Sequence, residues 1–141
     1  MEATAMRQRA AASRDAHLAT ADAEGRPHLV PIGFVIEGET VYFAVDSKPK
    51  QTVNLKRLRN IAVNPAVAVL FDEYDEDWSR LWWVRIDGTA HVVGDHQLAE
   101  HAVDLLTEKY PQYGSHRPAG PVVAISIDRI TGWSAGDNPG G

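Results

Sequence analysis

The 141-residue sequence contains no cysteine, which excludes disulfides, thiolate zinc sites and catalytic thiols and is compatible with a reducing cytoplasm. No apolar run approaches the roughly 18 residues that a membrane span needs. The N-terminal "MEATAMRQRAAASRD" lacks the apolar core of a signal peptide, so the expected location is cytoplasmic. There is no glycine-rich dinucleotide fingerprint and no P-loop. An excess of positive charge is missing too: 14 Lys and Arg stand against 19 Asp and Glu, a net charge of -5, which argues against a general nucleic-acid binder. Any anion site must therefore be local.

What is present describes a globular chain. Hydrophobic residues at 44% and charged residues at 23% lie far from disordered or fibrous compositions, and the length suits a single domain spanning 1–141. Residues 1–15 are rich in helix formers and predict an N-terminal helix. Turn signals then separate β-branched runs at 16–21 and 27–36, expected to pair as a hairpin, and "VYFAV" continues them as a three-stranded meander. Val53, Leu55, Leu58 and Ile61 fall at helical spacing, predicting a helix from Lys50 to Ile61 closed by Asn64 and Pro65. "AVAVLFDEY", almost continuously apolar, predicts a strand buried on both faces. "RLWWVRIDGTAHVV" predicts a long strand in which Gly88 marks a bulge or a close backbone approach. Asp95 is the expected N-cap of an amphipathic helix over 96–110. "PQYGSHRPAG" reads as a loop, "PVVAISIDRITGW" as a closing strand, and 134–141 as a mobile tail. Six or so strands with hairpin-length links and a few helices describe a mainly β fold, an antiparallel barrel with flanking helices.

The most informative stretch is "DSKPKQTVNLKRLRNIAVNP", which places Lys48, Lys50, Lys56, Arg57 and Arg59 together with no acid between Asp46 and Asp72. In a helix whose first turn holds Pro49, Lys50 and Gln51, the residues Lys56, Arg57 and Arg59 lie in the half that the helix dipole favours for cations, and they need no ligand. Lys48 and Lys50 stand at the opposite, already positive end, where free N–H groups and two ammonium groups suit a phosphate. Two solvated lysines are the plain alternative.

Elsewhere the chemistry is sparse. His96 and His101 are five apart, which misses the spacing for two metal ligands on one helix face, and Ser115 beside His116 lacks the context of a nucleophile. No metal site and no catalytic residue is assigned. Trp78, Trp82 and Trp83 cluster at the entry to a strand, and Trp82 and Trp83 must point to opposite faces, one into the core and one outward toward a partner subunit or a planar ligand. The acidic run at 72–78 reads as a solvated loop.

The ordered series "GRPHLVPIGFV", "VYFAVDSKPK", "LRNIAVNPAVAVL", "DWSRLWWVRIDGTAHV" and "ITGW" resembles the pyridoxamine-phosphate-oxidase-like split β-barrel superfamily over about residues 5 to 134. Within it the chain most resembles the actinobacterial branch of deazaflavin-dependent oxidoreductases that use coenzyme F420. That resemblance implies a homodimer with two cofactor sites at the subunit interface. It implies that Lys48, Pro49 and Lys50 grip the cofactor phosphate and that Val30, Pro31 and Ile32 run along the ring system, with Phe43 and Ala44 nearby. Trp78 and Trp82 would approach the ring or the tail, and Asn54, Arg57 and Asn60 are further candidate contacts. Ala44 stands where a flavin-phosphate oxidase of the superfamily usually carries Ser or Thr. The implied activity is hydride transfer between the reduced deazaflavin and a small-molecule acceptor. The alternatives are an FMN- or haem-binding split barrel and a non-catalytic anion-binding barrel.

Overall fold

Alternation of apolar and polar residues builds one dominant sheet. The computed structural model describes residues 1–45 and 55–137. Among them are seven strands, β1 (Ala16–Ala21), β2 (Pro27–Ile32), β3 (Val35–Glu37), β4 (Thr40–Ala44), β5 (Ala66–Glu73), β6 (Trp82–Val92) and β7 (Val122–Ser134). They form a single antiparallel, curled half-barrel in the order β2-β1-β5-β6-β7-β4-β3. The mainly β class with flanking helices is as expected, with seven strands in place of six. No helix among the described residues is long and apolar enough to cross a membrane.

The inner face holds the core. Leu18, Val69, Phe71, Val84, Ile86, Phe34 and Phe43 are all essentially inaccessible there, and burying each contributes about 1.5–3 kcal/mol. Helix α1 (Ala3–Ala12) adds Met6 and Ala10 to this cluster. It comes so close to β7 that a Cβ on Gly132 would lie 2.8 Å from Met6 Sδ. Helix α3 (His96–Lys109) closes a second cluster, with Ala102, Val103 and Leu106 against Val35, Tyr42, Val122 and Ala124. Asp95 caps α3 as expected, accepting the Gln97 N–H at 3.0 Å.

Three expectations are corrected. The run 27–36 is not one strand: Gly33 and Phe34 interrupt it, and β2 and β3 end up on opposite edges of the sheet, so no continuous meander forms. Phe34 dives into the core while its N–H donates to the Tyr110 hydroxyl at 3.1 Å, and Gly33 runs beside that ring, where a Cβ would lie in ordinary contact at 3.4 Å. Strand β5 is buried on one face only, Val67, Val69 and Phe71 inward and Ala66, Leu70 and Asp72 outward, because the curled sheet encloses a core on one side. The segment expected as a loop after α3 contains a further short helix, α4 (Gln112–Ser115).

Gly88 behaves as read from sequence. The β6–β7 register shifts between Asp87 and Gly88, and a Cβ at 88 would sit 2.5 Å from the Ser126 carbonyl oxygen. Only glycine fits there without backbone movement.

Candidate functional site

Helix α2 (Lys56–Val63) begins later than its apolar spacing suggests. Leu55 is extended, with ψ of 153°, so the described helix starts at Lys56, and Asn64 ends it as expected. This reverses the reading of the cationic cluster. Lys56 and Arg57 occupy the first turn, where the dipole disfavours positive charge, and no basic residue lies in the last turn. Leu55 offers no side-chain cap and the first turn holds no acid, so neither residue type that usually satisfies free helix N–H groups stands at this end among the described residues.

Two of the residues at this end are accounted for locally. Lys56 Nζ reaches the Asp22 carboxylate at 3.5 Å. Asp22 also accepts the backbone N–H groups of Arg26 and Glu24, both at 2.9 Å, and these bonds, the Arg26 one foremost, hold its carboxyl below the usual carboxylate range. Asn60, one turn on, is 1% exposed, and its Nδ2 donates to Thr20 Oγ1 at 2.9 Å. It pins α2 to β1 and is not open to a ligand. Arg57 differs from both. Its Nε is buried with no hydrogen-bond partner among the described residues, and burial pushes the guanidinium pKa down. A cation is thus held at the N-terminus of a helix, partly desolvated, with one donor unmet.

The structure disperses the other sequence-assigned residues. Lys48, Pro49, Lys50 and Asn54 lie outside the described residues. Val30, Pro31 and Ile32 are on the edge strand β2, with Pro31 exposed, Val30 half-buried and Ile32 in the core. Phe43 on β4 is 1% exposed, so its ring packs in the core and faces no ligand, whereas Ala44 is half-buried. Trp78 is 68% exposed on a short 3-10 turn, its indole N–H 3.4 Å from the Tyr74 hydroxyl. Trp82 is half-buried at the start of β6 and donates its N–H to Glu73 at 3.2 Å. Trp83, on the opposite face, lies across from Trp133 of β7.

Two features have no counterpart in the sequence reading. One is the outer face of the sheet. Matched register sets Pro31, His17, Leu70, Arg85 and Thr131 in one row and Leu29, Ala19, Ala68, Asp87 and Arg129 in the next. Leu29 is 68% exposed, and Thr131 Oγ1 is buried without a partner among the described residues. The other is a groove of about 640 Å³ between the C-terminal end of α1 and the open end of the β5–β6 pair, floored by Trp82. Arg9 reaches it from a stretch that sequence marks only as helix-forming, so no local signal singles it out. Among the described residues no cluster of His, Cys, Asp or Glu could hold a metal ion.

Comparison with known proteins places this geometry. The family model described as pyridoxamine 5'-phosphate oxidase matches residues 3–134. Among solved structures, a conserved hypothetical protein from Mycobacterium tuberculosis superposes with a TM-score of 0.81 at 19% identity, covering 96% of this chain and 86% of its own. An FAD-binding protein from Mesorhizobium loti gives 0.72 at 22% identity, covering 94% of each chain. The heme storage protein HutZ from Vibrio cholerae gives 0.70 at 19% identity, covering 93% of this chain and 90% of its own. At these identities the likeness is one of fold. No match was found among curated proteins.

Proposed function

The chain belongs to the pyridoxamine 5'-phosphate oxidase family, and from that premise we propose that it is a coenzyme F420-dependent oxidoreductase that works as a homodimer on a small-molecule acceptor. The observation that carries this reading is the N-terminus of α2: without a side-chain cap from Leu55, without an acid in its first turn, and carrying Arg57, whose buried Nε donor is unmet among the described residues. A phosphate is the natural complement of such an end, because it accepts both backbone N–H bonds and charge-assisted bonds from guanidinium and ammonium groups. Lys48 and Lys50 precede this helix closely in sequence and supply two further cations, so the donor set fits a phosphorylated cofactor.

When bound, a reduced deazaflavin supplies a hydride for an electron-poor acceptor. The chain's part is to hold the cofactor's anionic group with Lys48, Lys50 and Arg57, to lay the ring along Val30 and Pro31, and to exclude water. Ile32 and Phe43 contribute there through backbone and core packing, since their side chains are buried. Ala44 lines the approach, and Trp78 supplies planar surface; Trp82, its N–H held by Glu73 and its ring under Arg9, faces a groove of its own. The outer sheet face, with exposed Leu29 and Leu70 beside alanines and a self-contained Arg85–Asp87 pair at 3.3 Å, suits a second copy of the chain. No side chain is assigned a proton-transfer role.

A flavin reading stands second, supported by the FAD-binding neighbour, and a haem reading third, supported by HutZ. Titration of the purified protein with coenzyme F420 and, separately, with FMN, followed by tryptophan quenching, separates them. The proposal expects micromolar binding of the deazaflavin and much weaker binding of FMN. Tight FMN binding with no response to the deazaflavin moves the assignment to a flavoprotein. A Soret band on adding haem, with silence toward both other ligands, moves it to the third reading.

A further inference from the structure

The groove at the end of α1 is a second place where charge is left unanswered, and it is separate from the N-terminus of α2. Its volume of about 640 Å³ lies within the range typical of small-molecule pockets. Its charged lining consists of Arg9, Arg14 and Arg80 against Asp15, Asp72 and Glu73, which is balanced overall. Half of these groups are already engaged. Glu73 accepts the Trp82 indole N–H at 3.2 Å, Arg80 pairs with Asp75 at 3.5 Å, and Arg14 donates to the Lys109 carbonyl at 2.9 Å.

The remaining three are Arg9, Asp15 and Asp72. The Arg9 guanidinium lies over the Trp82 ring, 5.4 Å from its centroid, and has no carboxylate partner among the described residues. Asp15 and Asp72 make no side-chain hydrogen bond or ion pair among the described residues. One open cationic fork, two open carboxylates and an indole floor therefore share one groove. A purely anionic ligand would leave the carboxylates repelling it, and a purely cationic one would meet Arg9. A ligand of zero net charge carrying both signs satisfies all three.

We propose that this groove binds a zwitterionic amino acid with a planar side chain, its carboxylate on the Arg9 fork, its ammonium group between Asp15 and Asp72, and its ring against Trp82. The guanidinium presents parallel donors that match a carboxylate bidentately, and the indole gives a planar ring a stacking surface. The inference rests on the groove alone and is independent of which cofactor the protein uses.

Isothermal titration calorimetry of the full chain with L-phenylalanine, phenylpropionate and phenylethylamine tests it, because the last two each lack one charge. Phenylalanine should bind most tightly, and losing either charge should weaken binding by about tenfold or more. Arg9→Gln should weaken phenylalanine to a similar degree and leave phenylethylamine unchanged, whereas Asp72→Asn should do the converse, sparing phenylpropionate. Arg9 and Asp72 are exposed, and far-ultraviolet circular dichroism checks that each variant keeps its fold. The Trp82 indole N–H resonance should move on ligand addition. Equal binding of all three compounds, no binding of phenylalanine at millimolar concentration, or an Arg9→Gln variant that binds phenylalanine like the parent would overturn the proposal.

Discussion

Helices α2 and α3 lie against the same sheet and begin in opposite ways. Helix α3 starts with Asp95 capping the Gln97 N–H and ends with Lys109, so its charges follow the dipole at both ends. Helix α2 starts with Leu55, which caps nothing, places Lys56 and Arg57 in its first turn, and has no basic residue in its last turn. The first arrangement stabilises the helix itself. The second opposes the dipole, and Arg57 carries there a desolvated guanidinium with a donor unmet among the described residues. This contrast between a capped helix and one whose first turn holds two cations and no acid is what the proposed anion site rests on.

Four variants probe the contrast, in descending order of expected effect. Replacing Lys48 and Lys50 together by Ala should weaken coenzyme F420 binding by about a hundredfold or more, since each charge-assisted bond contributes about 1.5–3 kcal/mol, with no loss of thermal stability in the free protein. Fluorescence titration reads the first effect and calorimetry the second; unchanged affinity would remove the lysines from the site. Arg57→Met keeps the buried stem and removes the cation. Affinity should fall by about tenfold while the free protein holds or gains up to about 1 kcal/mol, and a clear loss of stability would mean that Arg57 is structural.

At the other helix, Asp95→Ala should destabilise the fold by about 1 kcal/mol, a drop in Tm of roughly 4 °C, without changing cofactor affinity. A matching loss of affinity would erase the distinction between the two helices. The smallest effect concerns the C-terminal end of α3. Burial, reinforced by nearby Arg14, pushes the Lys109 ammonium down to about 8, while its Nζ lies 3.6 Å from the centroid of the Phe34 ring. A lysine whose folded pKa is depressed binds its proton more weakly in the native state. The resulting penalty is fully present below pH 8 and is relieved as pH rises from about 8 toward the ordinary lysine value of 10.5. Urea unfolding across that window should show this contribution, damped because the side chain is partly solvated, and Lys109→Met should abolish it. An unchanged slope in the variant would assign the pH dependence to other groups.

Local chemistry made much of the fold legible. Apolar and β-branched runs marked β1, β5, β6 and β7, Asp95 marked the start of α3, and Gly88 marked the one position in β6 where a side chain would meet the backbone of β7. What local pattern could not carry was long-range choice. The break at Gly33 and Phe34 depends on Tyr110, which lies 76 positions from Phe34 and receives its N–H, so nothing within the run 27–36 announces it. The one-sided burial of β5 follows from sheet curvature, which an apolar run alone does not encode. The start of α2 was misplaced because Val53, Leu55, Leu58 and Ile61 keep helical spacing across Leu55, although that residue is extended. The error mattered, since it assigned Arg57 a favourable place in the dipole when it has an unfavourable one. In the same way, core packing withdrew the side chains of Ile32 and Phe43 from any surface site, a fact set by the sheet as a whole.

The most direct test of an anion-seeking α2 is the rise in Tm on saturation with coenzyme F420 at low ionic strength, measured side by side in the parent protein and in Arg57→Met. A ligand that binds only the folded state must raise Tm, and the account predicts a clear rise in the parent that shrinks in the variant. An equal rise in both proteins, or none in the parent, would contradict it.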